Sequence, residues 1–199
     1  MAGNKRKVVV FDFDGTLTTK DTLIEFIKFS CGTSKFYLGF LLYAPLLVLM
    51  KFNLYPNWKC KQKVFAWFFK GMKISDFSKL GEDFAKRSKG IKKESIITEL
   101  NNLREEGASI YVISASIDEW VRPFCIRLGV PNVIGTKVEV DSFGKLTGRF
   151  LTPNCYGQEK VCRLLEIEPN REEYILVAYG DSKGDKEMFE FADNAILVK

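Results

Sequence analysis

The sequence predicts an α/β fold: a doubly wound, mostly parallel sheet with an inserted α-helical cap. Three short apolar runs, at residues 7–13, 109–113 and 174–179, each lead into a polar turn, as buried parallel strands do. Helical patterns alternate with these runs, which is typical of doubly wound domains. Residues 20–93 instead carry long apolar and aromatic helical patterns, so we expect an α/β core at residues 1–19 and 94–199 and a helical cap at residues 20–93.

The amino-acid composition excludes several types of catalytic site and indicates a cellular location. The 199 residues contain no histidine, which excludes Ser-His-Asp hydrolysis, phosphohistidine chemistry and histidine-ligated zinc. Five cysteines, no two closer than seven residues, indicate neither a zinc site nor a disulfide framework. The first seven residues lead directly into the first strand and lack the pattern of a signal peptide. These observations predict a cytoplasmic protein.

The predicted cap is basic and unusually apolar. Residues 20–93 hold 15 basic and 5 acidic residues, and charge of this kind attracts anionic partners. Within the cap, residues 36–50 are almost all apolar, but 15 residues fall short of the roughly 20 that span a bilayer. We therefore expect a buried or partly buried cap helix, with an interfacial, re-entrant or spanning membrane segment as the alternatives.

Lysines alternate with aromatic residues at positions 58–73, in a helix that is predicted to begin at Pro56. Such a segment suits binding of nucleic acid or anionic lipid. It equally suits a cap core whose lysines face water, because a helix must bury one stripe. We favour the second interpretation, so no nucleic-acid partner is expected and a membrane surface is an alternative that is not favoured.

Further elements complete the predicted sheet. Ser116 is expected to cap a crossover helix over residues 116–127, with Glu119 three residues later. Residues 133–140 and 146–151 flank a turn at 141–145, which predicts a hairpin. Residues 195–198 are expected to add an edge strand.

Polar residues that suit phosphate chemistry follow the predicted strands, where ligands bind in an open parallel sheet. Two carboxylates at one strand end allow one to attack phosphorus while the other transfers a proton. Carboxylate oxygens are also the ligands that Mg²⁺ prefers. The segments concerned are Asp12-Phe13-Asp14-Gly15-Thr16, Ser114, Lys160 and Gly180-Asp181-Ser182 with Asp185.

In this order, these segments resemble the four motifs of the haloacid dehalogenase (HAD) superfamily of phosphohydrolases, and among these the phosphoserine-phosphatase-like group. The resemblance extends from Val8 to about Val198, and residues 20–93 resemble the C1 cap of that superfamily. It implies a Mg²⁺-dependent phosphomonoester hydrolase acting on a small organic phosphate. Asp12 would be the nucleophile that forms an aspartyl-phosphate, and Asp14 the general acid and base.

The resemblance also implies the remaining roles. Metal ligands would be Asp12, the main-chain carbonyl of Asp14, and Asp181, while Ser182 and Asp185 would support them. The phosphate would be bound by Gly15, Thr16, Ser114, Ala115 and Lys160, with the lysine neutralising the nucleophile and the phosphate.

Substrate choice is less well defined by the sequence. Phosphoserine phosphatases usually carry a glutamate nine residues after the nucleophile, where this chain has Asp21, and Arg87 is the one arginine of the cap. These two residues are the candidates for specificity. Alternative functions are a phosphatase of lipid or lysophospholipid phosphates at a membrane surface, and a phosphotransferase or mutase. A phosphate-sensing signalling module is disfavoured, because Ser114 occupies the place of its phosphoacceptor aspartate.

Overall fold

The computed structural model describes residues 5–52 and 54–199, with Lys89 described by its main chain only. The strands are β1 (Arg6–Phe11), β2 (Ser109–Ile117), β3 (Val133–Thr136), β4 (Val138–Val140), β5 (Leu146–Phe150), β6 (Tyr174–Gly180) and β7 (Asn194–Leu197). Five of them form one parallel sheet in the order β3-β2-β1-β6-β7. The other two, β4 and β5, pair antiparallel as a separate ribbon.

Helices precede or follow the strands of the sheet and build the cap. Of the eight α-helices in the described part of the chain, five lie between β1 and β2, and the other three follow β2, β5 and β6. The predicted α/β fold with inserted helices is therefore confirmed. The helices are α1 (Thr22–Cys31), α2 (Thr33–Lys51), α3 (Asn57–Phe69), α4 (Ile74–Arg87), α5 (Glu94–Glu105), α6 (Asp118–Arg127), α7 (Gln158–Ile167) and α8 (Lys186–Phe191).

The central strand β1 is buried on both faces, as expected for a parallel sheet covered by helices. Val9 and Phe11 face the core that continues into the cap, and Val8 and Val10 face the core beneath α7 and α8. Phe11 pairs with a residue of β2 on one side and of β6 on the other. The carboxyl ends of these three strands therefore meet at one edge of the sheet.

The cap shares its aromatic core with the sheet domain. Phe26 of α1 contacts Phe69 of α3 and stacks on Trp120 of α6, with ring centroids 5.6 and 4.6 Å apart. The two segments that connect the cap to the core lie side by side. There the amide of Lys93 donates a hydrogen bond to the carbonyl of Leu17. One apolar core contains residues from both sides of the predicted boundaries at residues 19 and 94. The division of the chain into an α/β core and a cap at these residues therefore stays a prediction.

Two local expectations were wrong. Residues 133–136 belong to the main sheet as β3 rather than to the hairpin, because they pair parallel with β2. Ser116 does not cap α6. Strand β2 continues to Ile117, which pairs with Thr136, and the side chain of Ser116 is used elsewhere.

Helix α2 is only partly buried. It contains 19 residues, of which Phe36 and Gly39 are buried and several others are half-buried, so of the expected buried or partly buried cap helix the partly buried form is the one observed. By length and composition alone, it is the one helix in the described part of the chain that is long and apolar enough to cross a membrane.

Candidate active site

A buried lysine joins two buried carboxylates at the carboxyl edge of the sheet. Nζ of Lys160, near the start of α7, lies 2.6 Å from Oδ1 of Asp12 and 2.5 Å from Oδ1 of Asp185. All three side chains are at least 90% buried. Asp12 follows β1 directly, and its amide donates to the carbonyl of Tyr179 in β6, which fixes the position of the carboxylate at the strand end.

Burial and charge set the protonation of this cluster. Burial raises the pKa of Asp12 to about 7, while Lys160 opposes the shift and Asp185 adds to it. Burial alone would lower the pKa of Lys160, but attraction by Asp12 and Asp185 outweighs that effect, and the pKa lies above its ordinary value. Lys160 is therefore a fixed positive charge beside the Asp12 carboxylate.

Asp185 also shapes the loop after β6. Its Oδ2 accepts hydrogen bonds from the amides of Asp181 and Ser182, at 3.2 and 3.1 Å, and from the hydroxyl of Ser182. The Ser182 hydroxyl in turn accepts from the amide of Gly184. With both carboxylate oxygens engaged, Asp185 connects the loop to Lys160.

Asp14 is held between the cap and strand β2. Its Oδ1 accepts from the amide of Thr22 at 2.7 Å, and its Oδ2 accepts from the hydroxyl of Ser116 at 2.5 Å. Thr22 is the first residue of α1, so one carboxylate contacts the beginning of the cap and the end of the core strand. Sequence analysis did not predict the contact of Ser116 with Asp14, because it placed this serine at the N-cap of a helix.

Hydroxyl groups lie around the same strand ends. Ser114 is buried, and its Oγ accepts from the amide of Ser116 at 3.0 Å, which leaves the hydroxyl hydrogen available for another acceptor. The hydroxyl of Thr16 is fully buried and has no hydrogen-bond partner among residues 5–52 and 54–199. Buried polar groups without partners are uncommon, but Thr16 is not among the residues that line the active-site cavity, so its role in phosphate binding stays a prediction.

The carboxylates suit a divalent cation. One oxygen atom from each of Asp12, Asp181 and Asp185 lies within 4.8 Å of the others. Gly15, at φ +80°, leaves room beside them, because a Cβ atom there would lie 2.1 Å from Oδ2 of Asp181. A set of carboxylate oxygens of this kind fits Mg²⁺. Since Asp185 already bonds Lys160 and the loop, Asp12 and Asp181 are the better-suited ligands.

These groups open into a cavity of about 470 Å³ between core and cap. Its polar wall includes Asp12, Asp14 and Lys61, the last from α3. Nζ of Lys61 donates to the carbonyl of Ala115 at 2.7 Å. Burial lowers the pKa of Lys61, although Asp14 and Asp21 oppose the shift. No sequence signal distinguishes this cation, because it is one of several lysines in a helix whose basic face is expected to be solvated.

Comparison with known proteins identifies the family. The model of the haloacid dehalogenase-like hydrolases matches residues 9–190, which is most of the chain. The chain belongs to this hydrolase family. Protein CicA of Caulobacter vibrioides is 32% identical to this hydrolase over 192 residues, which cover 96% of the chain and 85% of CicA. The predictions of the superfamily and of a hydrolytic enzyme are therefore confirmed.

Solved structures share the fold of this hydrolase. A protein of unknown function from Bordetella pertussis Tohama I has a TM-score of 0.83 at 16% identity, with 98% of this chain and 90% of that chain covered. A phosphoserine phosphatase, solved as a phospho-aspartyl intermediate analogue, has a TM-score of 0.66 at 24% identity, with 98% and 87% covered. The predicted likeness to the phosphoserine-phosphatase-like group is confirmed at the level of the fold.

The two specificity candidates have different positions in this hydrolase. Asp21 lines the cavity, where its carboxylate caps α1 by accepting from the amides of Leu23 and Ile24. Arg87 does not line the cavity. Its guanidinium lies over the ring of Phe29, 5.6 Å from the centroid, at the end of α4. The role of Arg87 in specificity stays a prediction without a position in the cavity, and among the described residues Lys61 is the cation of the cap helices that lines the cavity.

Proposed function

We propose that this hydrolase is a Mg²⁺-dependent phosphatase that hydrolyses a small phosphate monoester through an aspartyl-phosphate on Asp12. The observation that carries the proposal is the buried contact of Asp12 with Lys160, next to Asp181. An anionic nucleophile approaches an anionic phosphate only where positive charge offsets the repulsion. Lys160 supplies such a charge in a fixed position.

The first step is transfer of the phosphoryl group to the protein. A carboxylate oxygen of Asp12 forms a bond to phosphorus, and the bond from phosphorus to the ester oxygen breaks. Asp14, in its protonated form, donates its proton to the leaving oxygen, so that an alcohol departs. Ser114 and the loop at Gly15 line the cavity and are suited to hold the phosphoryl oxygens during this transfer, with Thr16 directly after that loop.

The second step is hydrolysis of the aspartyl-phosphate. Asp14, now a carboxylate, accepts a proton from water, and the oxygen of that water forms a bond to phosphorus. The bond between phosphorus and the Asp12 oxygen breaks and releases inorganic phosphate. The hydrogen bonds from Thr22 and Ser116 keep Asp14 at the same strand end as Asp12, which suits proton transfer in both steps.

We assign the metal site to Asp12, Asp181 and the main-chain carbonyl of Asp14. Mg²⁺ bound there supplies Lewis-acid neutralisation of phosphate charge. Lys61, at the cap side of the cavity, adds a second cation that is suited to attract the anionic substrate. A cytoplasmic location and the absence of a nucleic-acid partner stay predictions from the sequence.

A panel of phosphate monoesters tests the function. With Mg²⁺ present and no added acceptor, we expect release of inorganic phosphate, which a mutase or transferase would not give. Asp12→Asn should lower turnover by at least about 10⁴-fold, since no other group replaces the nucleophile. Asp76→Asn, at an exposed position of α4, is the matched control and should keep wild-type turnover. Undiminished turnover in Asp12→Asn would overturn the proposal.

A further inference from the structure

Helix α2 exposes a long apolar stripe, which we call the α2 face. Its residues recur three or four positions apart and so share one side of the helix. Leu41 is 75% exposed and Tyr37 is 64% exposed. Soluble monomers rarely expose a large contiguous apolar patch without a partner for it. The face comprises Tyr37, Leu38, Leu41, Leu42, Pro45, Val48, Leu49 and Phe52.

The opposite side of α2 is packed on the cap. Gly39 faces α3, where an added Cβ atom would lie 2.5 Å from the ring of Phe68 and 2.6 Å from that of Trp67. Phe36 is buried, and Phe40 packs on the cap core. Helix α2 is thereby fixed in place, with its apolar stripe turned outward.

The chain segment that contains the α2 face is basic, although Lys28 pairs with Glu25 at 3.4 Å and Lys61 lines the cavity. Residues 26–75 contain eight lysines, no arginine and no acidic residue. Lys35 and Lys51 lie near the two ends of α2. Beyond its end, Lys59 lies over the ring of the half-exposed Trp58, with Nζ 5.4 Å from the centroid. An apolar helix with flanking lysines and a tryptophan complements an anionic lipid surface.

The packing favours a helix that lies on a bilayer over one that crosses it. Phe26 in α1 and Phe69 in α3 are in contact, so the helices before and after α2 lie on the same side of it. Helix α3, which is packed on α2, also carries Lys61 to the active-site cavity. Passage of α2 through a bilayer would take α3 and this lysine with it.

The α2 helix also forms a wall of the active-site cavity. Phe40, Leu47 and Met50 line the cavity that contains Asp12. One helix therefore separates the cavity from the α2 face, a thickness of about 10 Å. A bilayer against that face would lie one helix diameter from the apolar wall of the cavity.

We propose that the α2 face docks on an anionic lipid bilayer, and that the substrate is a phosphate monoester with an apolar chain held in that bilayer. Phe40, Leu47 and Met50 would contact the chain near the phosphate. The docking stands on the exposed stripe and the charge around it. The substrate class rests in addition on the proposed phosphatase function.

Vesicle flotation tests the docking without any use of activity. The full chain should float with vesicles of phosphatidylcholine and phosphatidylglycerol, and should float less with phosphatidylcholine alone or at high salt. Leu41→Glu should lower partition by about tenfold or more, because it places a charge where an apolar side chain is buried in lipid. Ile126→Glu, at an exposed position of α6, is the matched control and should bind as wild type.

Two outcomes would overturn the docking. One is equal flotation of the Leu41→Glu and wild-type chains. The other is no flotation together with a dimer in sedimentation that Leu41→Glu dissociates, which would assign the face to a second copy. Thermal unfolding of the Leu41→Glu chain should match that of Ile126→Glu, so that lost binding is not lost folding.

Activity assays test the substrate class separately. Lysophosphatidic acid in these vesicles should be hydrolysed faster than glycerol phosphate in solution, and Leu41→Glu should reduce only the first rate. Equal rates on the two esters would overturn the substrate class while the docking stands. If no ester is hydrolysed but the vesicles are bound, the phosphatase function fails and the docking does not.

Discussion

The hydroxyl of Ser116 donates a hydrogen bond to Oδ2 of Asp14, 2.5 Å away, and the Thr22 amide donates to the other oxygen. Both contacts orient the carboxyl group that we assign as acid and base. Ser116 is therefore a positioning residue. It acts on Asp14 across the gap between strands β1 and β2.

Ser116→Ala should slow the proton-dependent reaction. We expect kcat to fall by about tenfold to hundredfold on an alkyl phosphate, because the leaving alkoxide needs a proton from Asp14. The loss on p-nitrophenyl phosphate should be much smaller, since that leaving group departs without one. Steady-state kinetics on the two esters measure the difference. An equal loss on both esters would assign Ser116 a merely structural role.

Gly15→Ala should weaken metal binding. A Cβ atom at residue 15 collides with the Asp181 carboxylate, so we expect the Mg²⁺ concentration for half-maximal activity to rise by about tenfold or more. Gly144→Ala is the matched control, because Gly144 also has positive φ but a Cβ atom added there would meet nothing within 4 Å. Calorimetric titration with Mg²⁺ gives a second readout. Unchanged affinity in Gly15→Ala would contradict the assignment of Asp181 as a ligand.

Lys61→Gln should weaken use of the substrate. The lysine lines the cavity from the cap side, and we expect kcat/KM to fall by about tenfold when its charge is removed. Lys63→Gln, two residues along the same helix and exposed, should change kcat/KM little. The same loss in both variants would mean that the general charge of the cap matters, rather than the position of Lys61.

Lys160→Met should destabilise the fold as well as abolish activity. Without the lysine, Asp12 and Asp185 are left buried with no counter-charge, which costs about 3 to 5 kcal/mol of unfolding free energy. A second change, Asp185→Asn, removes one of these charges and should restore part of the stability. Urea denaturation of the single and double variants measures both effects. A double variant less stable than Lys160→Met would contradict this account.

Glu119→Gln should stabilise the protein at alkaline pH. Burial raises the pKa of Glu119 to about 7 from an ordinary 4.5, and its Oε2 has no hydrogen-bond partner in the described part of the chain. Because the folded-state pKa is the higher one, the wild type loses stability as pH rises between these two values. Above that range, the glutamine variant should be more stable by roughly 2 kcal/mol.

Denaturation curves on both sides of this pH range test the Glu119 prediction. The exposed Glu105 in α5 provides the matched control, since Glu105→Gln should shift stability equally at both pH values. A stability difference between Glu119→Gln and wild type that does not grow with pH would show that Glu119 ionises normally in the folded protein.

Much of the site was predictable because it depends on local sequence. Asp12 and Asp14 follow a buried apolar run, and Gly180 and Asp181 follow another, so the strand-end rule places them at one edge of the sheet. The structure brings Lys160, Ser114 and Asp185 to the same edge. Their individual catalytic roles are still predictions.

Other features were not predictable because they depend on which elements pack together. Ser116 has the sequence context of a helix cap, but β2 continues past it and directs its hydroxyl to Asp14. In the sequence, Lys61 is one of several lysines in a basic helix. Its position in the site depends on the packing of α3 against the end of β2, where Lys61 donates to the carbonyl of Ala115. Helix α2 has the apolar composition of a core helix, yet the cap covers only one of its sides.

Short-range patterns of apolar and polar residues predict the parallel α/β sheet, the inserted cap and the carboxylates at the strand ends. The packing of distant elements sets which serine orients Asp14, which lysine of the cap lines the cavity and which apolar helix stays exposed. These outcomes depend on contacts between residues far apart in the chain, such as the 102 positions between Asp14 and Ser116, and no local pattern encodes them.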